Sequence, residues 1–487
     1  MIEIILRMAD GQWPHLDFMT PLGVAAFLPM ANFVKSGFGI GTSILLAQLA
    51  FAAALILPVF HVARTRMDGV VAYAFGAAVL IMALALVHGE ASDNVSISMH
   101  YNRWAWGLAF LAIPVAILPA RERGSDVVDG LILGLAMSFF ILGKVTFAIS
   151  FAPGLVLALL MRRAWVAMGI GLAVVVICTL IPTMLQGVAF WQAYVDDILQ
   201  VTRSDIRPRA GVDWERMLFA PRFLIGNLVL VASFWVLRKG ARPELGLILM
   251  VFAPGFFYVT YQNYGNDPKW LALLALLMWL TGTDMKHRVL AFAAAMLIAP
   301  SFLNMGASSY RHFAINAENY QAVFQAAPHT DVYTLTHRVN RVQERRTITF
   351  SNPQFAALNE VADKEPDIEF MGQTWPACKQ ELGLLGVMRE MAADLRAFGL
   401  GDDARIYTAD TFGSVWMFGG FEPLEDGSPW YYGALSGFEN ADYMLIFNCP
   451  INERAFRESI EAIKKLDDLG VKELRRNELY TLYSLTQ

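Results

Sequence analysis

Charge is what this chain has least of. Of its 487 residues only 17% are Asp, Glu, Lys or Arg, against about 25% in a typical soluble domain. The net charge of −5 leaves no basic excess to neutralise a phosphate backbone, so a nucleic-acid partner is not expected. Cysteine is scarce as well, with Cys178, Cys378 and Cys449 the three residues of the type. The opening stretch MIEIILRMADGQW has no apolar core followed by a small-residue cleavage site, which excludes reading it as a cleavable leader. Internal repeats and low-complexity segments are missing too, so neither a solenoid nor a linker-rich architecture is expected.

What is there is apolar surface. Hydrophobic residues make up 56% of the chain, and the mean hydropathy is +0.44. Almost all the long apolar runs fall between residues 20 and 306, and the rest resembles an ordinary soluble domain. Ten segments approach the length needed to cross a bilayer: roughly 38–63, 69–88, 104–119, 127–143, 145–161, 164–185, 221–237, 245–261, 270–283 and 288–306. The basic residues of the turns sit in every second loop: Arg64 and Arg66, Arg121 and Arg123, Arg162 and Arg163, Arg238 with Lys239 and Arg242, Lys286 and Arg288. The positive-inside rule puts those loops in the cytoplasm and the others, with the C-terminal part, outside. In a bacterium that is the inner membrane with a periplasmic tail. The expected fold is a polytopic α-helical membrane protein with about ten spans, interfacial helices and a C-terminal α/β periplasmic domain.

Three regions follow: a first periplasmic loop and interfacial helix at 1–37, the transmembrane domain at 38–306, and the tail at 307–487. PLGVAAFLPMANFVK (21–35) is too short to cross and is read as a helix in the interface. In the tail, 331–335, 404–409, 442–447 and 479–485 read as strands, and 378–399 and 452–470 as helices ending in Gly. Cys178 lies in an apolar span, where a thiol packs as a small hydrophobe. Cys378 opens the helix at 378 and Cys449 follows the strand at 442–447. In an oxidising compartment the two are expected to pair; two separate buried thiols are the alternative.

Polar groups at the outward ends of the spans carry the functional signal, because such groups are costly in a bilayer. Lys144 stands between two apolar segments with almost no loop, either snorkelling to the interface or holding a phosphate. His100, Tyr101, Asn102 and Arg103 begin a span; the guanidinium of Arg103 suits phosphate, whereas Tyr101 and Trp104 read as an aromatic belt. Asp196 and Asp197 are compatible with a divalent cation, although a lone pair of acids is a weak signal and a surface helix the blander reading. The turn YQNYGNDPKW (261–270) gathers amide and aromatic groups with Asn266, Asp267 and Lys269, either a sugar-pocket wall or a polar turn. In the first loop, Asp10, His15 and Asp17 sit in ADGQWPHLDFMTPLG. Asp17 reads either as a general base on an acceptor hydroxyl or as a turn acid.

DGQWPHLDFMTPLG resembles a stretch in the first periplasmic loop of many bacterial multi-spanning glycosyltransferases of the GT-C class, and LGKVTFAISFAPGLVLALL is similar to their K-x-T helix start. The resemblance covers about residues 1–306. It implies inverting transfer of a sugar from a polyprenyl-phosphate donor to a lipid or glycan acceptor at the outer face of the membrane. Asp17 or Asp10 is then the base, Lys144 and Arg103 hold the donor phosphate, and His15, His100, Asn102, Asn266 and Lys269 contact substrate. No cofactor is fixed by the resemblance; Asp196 and Asp197 permit a divalent cation without requiring it. One departure is that GT-C chains usually begin with a transmembrane helix, whereas this one begins in the loop, so a supporting role for Asp17 stays open. A transporter would place polar groups mid-membrane on broken helices, whereas here they gather at one face. A non-catalytic membrane anchor for the tail is the third reading.

Overall fold

The computed structural model describes residues 1–87, 99–121, 124–204, 206, 214–262, 267–313, 317–346, 367–375, 378–466 and 470–486. It is mainly helical. All ten apolar segments carry helices: α3 (Ile40–Arg66), α4 (Gly69–Leu84), α5 (His100–Ile117), α6 (Asp126–Gly143), α7 (Val145–Arg162), α8 (Trp165–Gln186), α11 (Pro221–Lys239), α12 (Pro243–Gln262), α13 (Trp270–Thr281) and α14 (Met285–Phe313). Among the described residues six of these, α3, α6, α7, α8, α12 and α14, are long and apolar enough to cross a membrane. Small residues set the closest crossings. α6 meets α8 where Gly130 and Gly134 lie against Ala167, Ile170 and Gly171, and Gly255 of α12 lies on the Ser150 carbonyl of α7. Without a hydrophobic drive between helices in lipid, such close backbone approach is what dispersion needs.

The bundle has two chemically different ends. At one end Asp129 accepts from Arg66 and, at 2.9 Å, from His61 Nε2, while Arg66 also donates to the Leu118 carbonyl. Arg162 donates to the carbonyls of Val115 and Ala116. The arginines that composition marks as loop charges therefore tie α3, α5, α6 and α7 together. The other end carries the first loop, Lys144 and the tail.

That other end is covered by a layer with its own core, in which Ile5, Phe18, Phe27, Met30, Ile40, Ile44 and Trp104 are buried together. Two short helices lie in it: α1 (Ile2–Ala9) and α2 (Leu28–Lys35), the latter after a 3-10 turn at Val24–Ala26. At eight residues, about 12 Å long, α2 cannot span a bilayer. α1 is a correction to the sequence reading, which took residues 1–20 for loop. Its Glu3 and Arg7 are buried, unlike the surface charges of an isolated amphipathic helix.

The tail is built on a four-stranded sheet in the order β7 (Ile406–Thr408), β8 (Tyr443–Phe447), β10 (Tyr480–Thr486), β9 (Gly470–Arg476). β7 and β8 are parallel and the rest antiparallel. Alternation along β8 sends Leu445 and Phe447 to the helix Leu384–Phe398, and Met444 and Ile446 to the helix Glu453–Ile463. The first helix starts later than the sequence reading had it, because Cys378–Leu382 is a strand, β6. The second stops at Ile463, before the expected Gly470. Cys378 and Cys449 are joined by a disulfide, Cα atoms 5.3 Å apart, inside the range a bridge requires. Asp394, on the helix Leu384–Phe398, accepts from Arg475, the Tyr480 hydroxyl and Asn477, and clips that helix to the far edge of the sheet.

Two outcomes test the tail. Alkylation of the unreduced, denatured chain should label Cys178 alone, and reduction should expose two more thiols; three labels before reduction would contradict the bond. The bridge closes a separation of 71 residues, so its loss should cost about 4 kcal/mol in the chain-entropy picture. The bonds from Arg475 and Tyr480 hold the Asp394 carboxyl down, at about 2 against 3.8. Its contribution is therefore present above pH about 4 and lost as pH falls toward 2. The melting temperature of the tail should fall across that window, and Asp394→Asn should flatten the fall.

Candidate functional site

The first loop is held from two sides. On the membrane side His15 Nδ1 lies 2.7 Å from Asp197 Oδ2, and the Thr20 amide donates to the same oxygen at 3.0 Å. Asp197 belongs to α9 (Ala189–Arg203), the surface helix expected around Asp196 and Asp197. The His15 ring sits 4.4 Å from that of Tyr194 and 5.6 Å from that of Phe190. Burial pushes the Asp197 carboxyl up, and the His15 bond pulls it back. Further along, the Gly23 amide donates to the Gly143 carbonyl, and a Cβ at Gly23 would run into the carbonyl of Leu142. That contact seats the end of the loop on the residue before Lys144.

On the tail side Arg7 donates to the Leu424 carbonyl at 3.0 Å, and Glu3 accepts from Ser414 and from Trp416 Nε1. The Met19 amide donates to the Gly427 carbonyl, and the Asp426 amide to the carbonyl of Asp17. Asp331, from the start of the tail, accepts from the amides of Gly41 and Thr42 and so caps α3.

Between loop, bundle and tail lies a chamber of about 340 Å³. Lys144 lines it, closing α6 and opening α7 at once. Beside Lys144 are Thr146 and the first turn of α7, where backbone N–H groups and the helix dipole favour an anion. The Lys144 ammonium lies 5.5 Å from the centre of the Tyr101 ring. Asn102 is 7% exposed, lines the same chamber, and its Oδ1 finds no hydrogen-bond partner among the described residues. The wall also includes Leu22 and Met99, Tyr258, Tyr261 and Gln262 of α12, Ile198, Val201 and Thr202 of α9, and Tyr432 of the tail. Such a surface of aromatic faces and neutral hydrogen-bonding groups around one cation matches the general make-up of small-ligand sites.

The expected site residues divide. Lys144 and Asn102 meet in the chamber, with Tyr261 and Gln262 from the turn read as a sugar-pocket wall. The others lie elsewhere. His15 is spent on Asp197. His100 Nε2 is 2.7 Å from the Ala26 carbonyl and packs the interfacial turn. Arg103 is fully buried and is not among the residues that line the chamber. Lys269 is buried 3.7 Å from Asp267, which in turn accepts from Ser301. Asn266 lies outside the described residues.

The acids divide too. The Asp17 carboxylate accepts from the Trp13 amide at 2.5 Å and is not part of the wall of the chamber that Lys144 lines. Asp10 ends α1 at the surface. Asp196 is exposed and Asp197 bound to His15; among the described residues no group of three or more His, Cys, Asp or Glu side chains is arranged to hold a metal. The sequence reading missed Tyr258, Thr202 and Tyr432. The first two had a signal, since 258, 261 and 262, like 198, 201 and 202, follow helical i, i+3, i+4 spacing on one face. Tyr432 had none, being brought in by a loop of the tail.

No protein-family profile matches the chain, and neither a curated protein nor a solved structure matches it.

The first-loop anchor is directly testable. Asp197→Ala leaves His15 and the Thr20 amide without their buried acceptor, which should cost about 3 kcal/mol and lower the melting temperature by several degrees. Asp196→Ala, at an exposed position, should change it by less than about 0.5 kcal/mol. Equal effects of the two would contradict the assignment.

Proposed function

We propose that this chain is a membrane-embedded glycosyltransferase of the GT-C kind. It takes a sugar from a polyprenyl-phosphate donor at the outer face of a bacterial inner membrane and passes it, with inversion, to a lipid or glycan acceptor. The observation that carries the reading is the chamber in which Lys144, at the N-terminus of α7, stands beside Asn102 and a wall of tyrosines. An anion enters there against a lysine and a helix start, and the sugar it carries meets aromatic faces and amide groups. The chamber is at the end of the bundle away from the arginine-tied ends of α3, α5 and α7. With ten spans and basic loops inside, that end and the tail face the periplasm. Thr146, Thr202 and Gln262 supply the rest of the polar wall, and a metal has no assigned role.

Asp17 braces its own turn, and among the described residues no carboxylate lines the chamber. That observation favours a second reading, in which the chain holds a lipid-phosphate sugar without transferring it, as a partner in polysaccharide assembly.

Purified protein in nanodiscs, given a panel of radiolabelled polyprenyl-phosphate sugars, separates the two. Transfer or donor hydrolysis supports the enzyme, binding without turnover supports the partner, and absence of binding overturns both. Lys144→Ala should weaken donor binding about tenfold or more, the scale of a charge-assisted hydrogen bond. Asp17→Asn should abolish turnover with donor binding retained if Asp17 is the base; turnover within a few-fold of wild type removes it from the mechanism.

A further inference from the structure

A second chamber adjoins the first. It measures about 450 Å³ and lies between α1, the first loop and the tail. Its wall is rich in methionine and aromatic groups, with Met19 and Phe27 on one side and Leu385, Met388, Phe412 and Trp430 on the other. Leu22, Met99, Tyr101 and Tyr432 line both chambers, so these four form a shared partition. Well-packed interiors carry few voids larger than a water molecule. A space of this size, between elements otherwise knitted by hydrogen bonds, is of the kind that takes a ligand. Methionine walls adapt to flexible apolar bodies.

Resting on the lipid-linked sugar reading, we propose that the apolar chamber is the acceptor subsite and that the acceptor is a neutral amphipath, a long-chain alcohol or glycolipid. Its aliphatic body lies among Met19, Met388 and Trp430, and its hydroxyl reaches past Tyr101 and Tyr432 toward the donor sugar. A peptide fits poorly, because each buried amide needs a partner and the polar side chains of this wall are already engaged. Glu3 accepts from Arg7, Ser414 and Trp416, and the Thr20 hydroxyl accepts from the Leu22 amide. In the transfer the acceptor oxygen bonds to the anomeric carbon and the bond from that carbon to the phosphate oxygen breaks. The lipid phosphate leaves with the electron pair against Lys144, and the hydroxyl proton ends on that phosphate or in solvent. The tail is thereby half of the acceptor site.

The test uses the full chain in nanodiscs and a dodecyl glucoside bearing a terminal diazirine. After photolysis, adducts should map to Met388, Phe412 and Trp430 and be competed by unlabelled dodecyl glucoside. Met388→Trp, which fills the chamber, should cut them about fivefold or more. Where that variant misfolds, competition on the wild type decides. Adducts confined to lipid-facing residues of α3 and α8, and insensitive to competitor, would overturn the proposal. Donor binding without competed adducts defeats this inference alone; competed adducts without any donor binding defeat the transfer reading and the acceptor role with it.

Discussion

One buried carboxylate holds the tail-bearing end of this protein together. Asp197 receives the His15 ring and the Thr20 amide, and through them it fixes a loop that has no regular structure of its own. A carboxylate taken from water is costly unless its lone pairs are filled. Two donors from one loop on one oxygen meet that demand, provided the loop stays in place. Its other side then presents Arg7, Asp17 and Met19 to the turn 424–427 of the tail, and Gly23 to the residue before Lys144. Both chambers are spaces between these docked surfaces.

The tail is accordingly a wall of the site rather than an appended module. Tyr432 closes the polar chamber, and the segments 384–388, 412–418 and 429–432 close much of the apolar one. Asp331 caps α3, and Gln200 of α9 donates to the Gly433 carbonyl. Contacts of this kind spread over three elements, so the tail has little freedom to swing without opening the chambers.

The helical half was legible because hydropathy is a local signal: ten apolar segments became ten helices. Lys144, Asn102, Tyr261 and Gln262, which share one chamber, stood out in the sequence because each lies near the end of an apolar helix, where a polar group is conspicuous. The fate of the acids and histidines was not. Asp17 and Asp197 look alike in sequence, yet one caps its own turn and the other pairs across 182 residues. Only tertiary contact distinguishes them. The same holds for Arg66, which loop charge marks as a topology signal and the fold buries against Asp129. The disulfide was legible from approximate element ends, although Cys378 proved to sit on a strand rather than a helix.

Hydrogen exchange on the chain in nanodiscs, wild type against Asp197→Ala, tests most directly whether the loop is the joint. Exchange should quicken together in peptides covering 12–23 and 424–432, while α6, α7 and α8 keep their protection. Faster exchange at 12–23 with an unchanged 424–432 turn would mean that the tail docks without the loop, and would contradict the account.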